Sequence, residues 1–200
     1  MAPGAGRVAE LQRETKETRI TLRLDLDGAG AAEVDTGVPF FDHMLDQLAR
    51  HAPLDLTLHC RGDLQVDTHH TVEDCALLLG RALHQALGDR RGIRRMGAAR
   101  VPMDEALAEV AIDLSGRPFC RAEVADAGST GLPPSLVAHF LESLASEGRL
   151  TLHVRVLYGR DGHHQAEAVF KALARALGEA VAPDPRRGGA VPTTKGTLTG

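Results

Sequence analysis

The chain contains few of the residues on which several classes of protein depend. Among its 200 residues there is no tryptophan, one tyrosine and five phenylalanines, too few aromatics for a base-stacking nucleic-acid surface. The three cysteines, Cys60, Cys75 and Cys120, are scattered and odd in number, which argues against a disulfide framework. We find neither the basic start and apolar core of a signal peptide nor an apolar run long enough to cross a membrane. These absences predict a cytoplasmic protein without a membrane partner.

Charge and composition exclude little else. The net charge of -4 gives no basic field, so we expect no nucleic-acid partner. Hydrophobic residues make up 43% and charged residues 25%, as in ordinary globular proteins, and the length is sufficient for a substantial core. The 10 histidines are the notable excess, and most of them lie in recognisable patterns.

The second half of the chain repeats the first. Residues 57–87 align without a gap on residues 151–181, and 13 of these 31 positions are identical, where chance gives about two. Each segment contains a His-His pair followed by a glutamate at the same spacing: His69, His70 and Glu73, then His163, His164 and Glu167. We therefore predict two homologous halves, residues 1–92 and 93–200, within one compact unit.

Hydrophobic periodicity predicts the same elements in each half. Alternating apolar residues indicate strands at 20–26 and 54–60, and at 110–114 and 150–156. Helical spacing covers 40–51 and 70–88, and then 135–147 and 164–181; short strands are expected near 34–38 and 118–124. The prediction is an α/β (α+β) fold with two tandem halves, each a β-sheet packed on helices. We expect residues 1–10 and 183–200 to be loose unless a ligand orders them.

The duplicated histidine motif indicates metal binding. Residues i and i+4 share a helix face, so His69 can bind one ion together with Glu73, and His163 another together with Glu167. The adjacent His70 and His164 point about 100° away, toward a different ion. We therefore expect a crossed arrangement, His163, Glu167 and His70 in one site and His69, Glu73 and His164 in the other.

Each site needs one more ligand, for which His43 and His139 are the candidates because they occupy equivalent places in the repeats. Geometry alone does not assign either to a site. Four protein ligands would leave two positions open on an ion that prefers six. A single His-x-x-x-Glu pair is common on helices without a metal, but coincidence would have to occur twice here.

Differences between the halves indicate where a substrate binds. Lys171 extends the metal-binding helix face, whereas its counterpart is Leu77. Gln47 and His51 follow His43 at helical spacing. The C-terminal Thr193-Thr194-Lys195-Gly196 is suited to an anion, and Arg95 and Arg117 add positive charge. Together with two metal ions, these residues indicate a small, phosphorylated substrate.

The ordered set of motifs resembles the imidazoleglycerol-phosphate dehydratase family of histidine biosynthesis, over about residues 17–196. The motifs that carry the resemblance are Thr15-Lys16-Glu17-Thr18, Phe41-Asp42-His43-Met44-Leu45-Asp46-Gln47, His69-His70-Thr71-Val72-Glu73-Asp74, Asp113-Leu114-Ser115-Gly116-Arg117-Pro118, His163-His164 with Glu167, and Pro192-Thr193-Thr194-Lys195-Gly196. The tail has two threonines where the family usually has two serines, so the hydroxyl groups are retained.

The resemblance implies two manganese ions per active site and a phosphorylated imidazole substrate. One ion would be bound by His43, His70, His163 and Glu167, and the other by His69, Glu73, His139 and His164. The implied substrate contacts are Glu17, Gln47, His51, Arg95, Arg117, Lys171, Thr193, Thr194 and Lys195. The implied catalytic set is Glu17, His43, His70, Glu73 and Glu167. Family members also look like 24-subunit assemblies of trimers with active sites shared between subunits.

The reaction implied by the resemblance is a dehydration, which converts imidazole glycerol phosphate into imidazole acetol phosphate. Glu17 is the candidate acid/base for the proton lost from carbon. Two other functions remain open. A dinuclear metallohydrolase would release phosphate or an amine, and a metal buffer or sensor would leave the one-sided Lys171, Arg and Thr-Thr-Lys set unexplained.

Overall fold

The structure, a computed structural model, describes residues 6–124 and 131–198. Its elements, in chain order, are β1 (Val8–Glu14), β2 (Thr18–Asp25), β3 (Ala32–Asp35), α1 (Pro39–His51), β4 (Asp55–Gly62), α2 (His69–Leu87), β5 (Met96–Met103), β6 (Ala106–Asp113), β7 (Phe119–Glu123), α3 (Pro134–Gly148), β8 (Thr151–Tyr158) and α4 (Gly162–Val181), followed by a 3₁₀ turn, Pro185–Arg187.

The strands form two four-stranded sheets with the same topology. Their orders are β1-β2-β4-β3 and β5-β6-β8-β7. In each sheet the first three strands are antiparallel, and the fourth lies parallel to its neighbour. A helix, α1 or α3, joins each parallel pair, as a parallel connection requires. The predicted fold class and the likeness of the two halves are confirmed.

The core lies between the sheets and the helices. In β2, Ile20, Leu22 and Leu24 are buried and alternate with less buried residues, so one sheet face is covered. The helices α1 and α2 contact the first sheet, whereas α3 and α4 contact the second. The two helical layers also meet, with α1 against α4 and α2 against α3. The helices of one half therefore pack against the helices of the other half, first with fourth and second with third.

No helix within the two described ranges has both the length and the apolar composition needed to span a bilayer.

Two strands were not predicted. The edge strands β1 and β5 each bury only one residue, Ala9 and Gly97, so neither shows the apolar alternation that identifies a half-buried strand. The expectation that residues 1–10 are loose is accordingly wrong for 8–10, which belong to β1; residues 1–5 lie outside the described residues. In the C-terminal tail, the 3₁₀ turn and the buried Leu198 are likewise ordered structure.

The contact between α2 and α3 depends on Gly80. A Cβ atom at this position would lie 2.7 Å from the Leu144 carbonyl oxygen and 2.8 Å from the Gly148 nitrogen. Gly80→Ala should therefore separate the helices and destabilise the protein by about 1–3 kcal/mol, lowering the unfolding midpoint by about 2–10 °C. Thermal unfolding measures this, with Gly6→Ala as the control, because a Cβ there meets only Val8 at 3.5 Å. Equal midpoints for the two variants would contradict the prediction.

Candidate active site

The first cluster joins α1 to α4. His163 lies in the first turn of α4, where the Asp161 side chain caps the helix by accepting a hydrogen bond from the His163 backbone N–H at 2.7 Å. Glu167 lies one helical turn later, and its Oε1 is 2.8 Å from His163 Nε2 and 3.1 Å from His43 Nε2. One potential ligand atom from each of the three residues lies within 4.8 Å of the others.

Glu167 is the most enclosed member of the first cluster. Its side chain is only 7% exposed. Burial opposes ionisation, but hydrogen bonds to Lys171, His43 and His163 outweigh it and lower the pKa of Glu167 to about 2. Its second oxygen, Oε2, accepts a hydrogen bond from Lys171 Nζ at 2.5 Å. Glu167 is thus an ionised carboxylate near neutral pH, as a metal ligand must be.

The second cluster joins α2 to α3 and repeats the first. Glu73 Oε2 is 3.8 Å from His69 Nε2, and Glu73 Oε1 is 3.4 Å from His139 Nε2. The His69 and His139 rings lie 4.8 Å apart between centroids. His139 Nε2 is buried and makes no hydrogen bond with any residue in the described ranges. A buried nitrogen without a hydrogen bond requires an explanation, and a cation bound between His139 and Glu73 supplies one.

Both clusters fit a divalent transition metal. Each offers two imidazoles and one carboxylate, a donor set suited to several first-row metals. Each cluster also takes its residues from both halves of the chain, because α1 and α2 belong to the first repeat and α3 and α4 to the second.

His70 and His164 lie outside the two clusters of their own chain. His70 Nδ1 is 3.0 Å from Asp63 Oδ2, and its Nε2 is 3.8 Å from Glu17 Oε1. His164 Nδ1 is 2.6 Å from Glu105 Oε2. Both rings therefore point away from the neighbouring histidines His69 and His163, as expected for adjacent residues on a helix. Of the four ligands predicted for each ion, the described part of this chain brings three together.

The carboxylates beside these two histidines change the titration of both rings. A hydrogen bond to Asp63 raises the pKa of His70, and one to Glu105 raises the pKa of His164. In return, the pKa of Glu105 falls to about 2, because it accepts hydrogen bonds from His164 and from backbone N–H groups of Asp161 and Arg160.

Three of the predicted substrate residues extend the first cluster. The Gln47 amide nitrogen is 3.5 Å from His43 Nε2, and Gln47 Oε1 is 2.8 Å from His51 Nε2. Burial and the positive charge of Lys171 lower the pKa of His51, which favours its neutral form. Lys171 Nζ, besides its contact with Glu167, is 3.4 Å from Met103 Sδ. Polar groups therefore continue from the cluster along α1 and α4.

Five further predicted residues line one cavity of about 540 Å³. They are Arg95, Arg117, Thr193, Thr194 and Lys195. Arg95 is fixed there by two hydrogen bonds to Asp113, at 2.7 and 2.9 Å, and it donates to the Pro192 carbonyl at 2.8 Å. The C-terminal tail is thereby fastened beside two arginines. The cavity also includes Arg187, which the sequence analysis missed because its spacing to the other residues carries no pattern.

Glu17, the last of the predicted site residues, lies in the hairpin between β1 and β2. Its backbone N–H donates to Thr15 Oγ1 at 3.1 Å, which fixes the turn, while the side chain is 51% exposed. Sequence analysis also missed Asp63 and Glu105, the carboxylates that contact His70 and His164.

Comparison with known proteins places the chain in a family. A profile described as imidazoleglycerol-phosphate dehydratase matches residues 36–177. The enzyme of that name from Rhodococcus opacus is 54% identical over 202 residues, covering 96% of this chain and 98% of its own. That from Cereibacter sphaeroides is 53% identical over 194 residues, with 96% and 100% coverage.

Solved structures agree with the sequence comparison. The crystal structure of the imidazoleglycerol-phosphate dehydratase from Pyrococcus furiosus, solved with a bound compound, has a TM-score of 0.81, 34% identity and coverage of 93% of this chain and 99% of its own. That from Staphylococcus aureus has a TM-score of 0.78, 32% identity and coverage of 88% and 99%. The chain therefore belongs to the imidazoleglycerol-phosphate dehydratase family and is a dehydratase, a lyase, of histidine biosynthesis.

Proposed function

We propose that this dehydratase converts D-erythro-1-(imidazol-4-yl)glycerol 3-phosphate into 3-(imidazol-4-yl)-2-oxopropyl phosphate with two manganese ions per active site. The observation that supports the proposal most strongly is the pair of repeat-related His/His/Glu clusters. Two similar cation sites suit a substrate whose imidazole ring has two nitrogen atoms. Manganese is preferred because of the family resemblance, since imidazole and carboxylate ligands suit several metals.

The ligand sets are completed between subunits. His43, His163 and Glu167 form one set with His70, and His69, Glu73 and His139 form the other with His164. Because His70 and His164 point away from the clusters of their own chain, each is available to a cluster of a neighbouring copy. This arrangement requires a homo-oligomer, for which we propose the family's 24-subunit assembly of trimers, in the cytoplasm.

The chemical difficulty is that the hydrogen lost from carbon is not acidic. Positive charge at both ring nitrogens would lower the pKa of the bound imidazole and favour the imidazolate. The hydroxyl on the carbon attached to the ring can then leave as hydroxide, which forms water with the proton that the ring has lost. Glu17 removes the proton from the next carbon, which gives an enol, and delivers it to the carbon attached to the ring as the enol becomes a ketone. Its side chain is 51% exposed, and Oε1 lies 3.8 Å from His70 Nε2, which places a carboxylate at the edge of the metal site.

The phosphate group binds in the cavity at the C-terminal tail. Arg95 and Arg117 supply permanent positive charge, while Thr193, Thr194 and Lys195 supply hydrogen-bond donors. Gln47, His51 and Lys171 line the approach to the first cluster and orient the glycerol part of the substrate.

Metal analysis coupled to turnover tests the proposal. Purified protein is assayed for metal content and for the keto product, before and after chelation and after addition of Mn²⁺. We expect two ions per chain, loss of turnover on chelation and recovery with Mn²⁺. Release of inorganic phosphate or an amine would instead indicate a hydrolase. Metal binding without turnover of the substrate would indicate a metal buffer or sensor.

Lys195→Ala should mainly weaken substrate binding. Loss of one charge-assisted hydrogen bond to phosphate, about 1.5–3 kcal/mol, corresponds to a KM increase of roughly 10- to 100-fold. We expect kcat to change by less than about threefold, because the reacting carbon atoms lie at the other end of the substrate. Arg186→Ala is the control, since this exposed arginine does not line the cavity. A fall in kcat at unchanged KM would contradict a phosphate contact.

A further inference from the structure

Two histidines each contact a carboxylate through the same ring atom, Nδ1. Asp63 contacts Nδ1 of His70, and Glu105 contacts Nδ1 of His164. An ionised carboxylate only accepts hydrogen bonds, so the hydrogen of each neutral ring lies on Nδ1 and Nε2 carries the free lone pair. We infer that Asp63 and Glu105 are positioning residues that present Nε2 of His70 and His164 to the metal ions. The inference rests on the proposed function, which assigns both histidines to ions.

Glu105 accepts hydrogen bonds through both of its carboxylate oxygens. Its Oε2 contacts His164, while its Oε1 accepts hydrogen bonds from the backbone N–H groups of Arg160 at 3.0 Å and Asp161 at 2.9 Å. These two residues immediately precede α4, which carries His164. Glu105 therefore fixes the start of the helix and the ring on its first turn together.

The repeat shows that Glu105 is the counterpart of Glu17. The strands that follow them, β2 and β6, begin at Thr18 and Ala106, so both glutamates end the turn of an equivalent hairpin. Their surroundings differ, because Glu17 is 51% exposed, whereas Glu105 is 26% exposed and accepts three hydrogen bonds. In the first half, Asp63 binds the histidine Nδ1 instead. Glu17 is thereby left free to move a proton, and Glu105 is not.

The two carboxylates should respond differently to amide substitution. In Glu105→Gln, one end of the amide must accept from the backbone N–H groups and the other end then presents its NH₂ to His164. The NH₂ group is a donor, so it drives the ring hydrogen from Nδ1 to Nε2 and blocks the ligand atom. Asp63 has both oxygens near the same Nδ1, at 3.0 and 3.2 Å, and its side chain makes no other hydrogen bond or ion pair within the described ranges. Asp63→Asn can therefore keep its oxygen toward the ring.

Titration of the metal-stripped, full-length protein with Mn²⁺ tests this inference, with free Mn²⁺ followed by electron paramagnetic resonance. We expect Glu105→Gln to lower the affinity for one of the two Mn²⁺ ions by about 10- to 100-fold. The matched control is Asp104→Asn, which removes a charge 3.8 Å from His164 Nε2 without touching Nδ1, and should change affinity by less than about threefold. Equal affinities in these two variants would overturn the inference.

The second carboxylate provides an independent comparison if Glu105→Gln does not fold. Asp63→Leu removes the acceptor and should weaken binding of the other Mn²⁺ ion by a similar factor, whereas Asp63→Asn should not. Equal Mn²⁺ affinities in these two variants overturn the inference.

Solid-state ¹⁵N spectra of histidine-labelled, metal-free protein report the tautomer directly, with His164→Gln identifying the His164 signals. We expect the neutral ring of the unsubstituted protein to carry its hydrogen on Nδ1, and a neutral ring with the hydrogen on Nε2 overturns the inference. Failure of that protein to bind Mn²⁺ refutes the proposed function and the inference with it, whereas Mn²⁺ binding by a protein whose neutral His164 ring carries its hydrogen on Nε2 refutes the inference alone.

Discussion

Replacing Glu17 by glutamine is expected to lower kcat by about 10²- to 10⁴-fold while the Mn²⁺ content of the protein stays the same. An amide cannot accept the proton that the dehydration removes from carbon, so the chemical step loses its base. Glu17 belongs to neither cluster, and its nearest approach to a predicted ligand is the 3.8 Å to His70. Steady-state kinetics, with metal content measured on the same samples, gives both quantities.

The matched control for this variant is Glu14→Gln. Glu14 ends the other strand of the same hairpin, is also exposed, and pairs with Arg19 at 2.5 Å. Its substitution should leave kcat and metal content unchanged, because exposed ion pairs contribute little and this pair is 72% and 63% exposed at its two side chains. Near-normal turnover in Glu17→Gln would remove Glu17 from the acid/base role, and parallel loss of metal would make it a ligand instead.

Replacing Glu167 by glutamine is expected to remove the ion of the first cluster and, with it, turnover. The substitution takes away the only carboxylate among the three residues and leaves Lys171 without its ionised partner. We expect one fewer Mn²⁺ per chain at micromolar metal and at least about a 10³-fold loss of kcat/KM, because the substrate ring can no longer be bound at both nitrogens.

Glu147→Gln is the control for loss of a helical carboxylate. Glu147 lies near the end of α3 and pairs with Arg81 on α2, with 2.7 Å between Oε2 and Nε. Metal content and activity should remain close to those of the unsubstituted protein, with a stability change below about 1 kcal/mol. Full metal occupancy in Glu167→Gln would show that the first cluster is not a metal site.

Local geometry accounts for the part of the site that could be predicted from the sequence. The spacing of four residues on a helix brings His163 to Glu167 and His69 to Glu73, because helix geometry is independent of the rest of the fold. The third residue of each cluster, a histidine from another helix, was harder to predict from the sequence. Spacing left His43 and His139 unassigned, and only the family resemblance paired them with the ions, since packing of α1 against α4 is a tertiary property.

The residues that were missed share a physical reason. The equivalence of Glu105 and Glu17 depends on the hairpins β1–β2 and β5–β6, and the outer strand of each is too exposed to show a period-two pattern. Asp63 belongs to the loop before α2, and Arg187 to a 3₁₀ turn. Loop residues reach their partners through the path of the chain, which no short sequence window contains.

The crossing of the helices between the repeats has a consequence for the origin of the enzyme. Each His/His/Glu set takes members from α1 or α2 and from α3 or α4, so a polypeptide with a single repeat would hold only fragments of a set. Two identical copies, docked about a two-fold axis, would complete both sets at once. An ancestor of half the present length could thus have bound metal as a homodimer, and gene duplication with fusion would have made that partnership permanent.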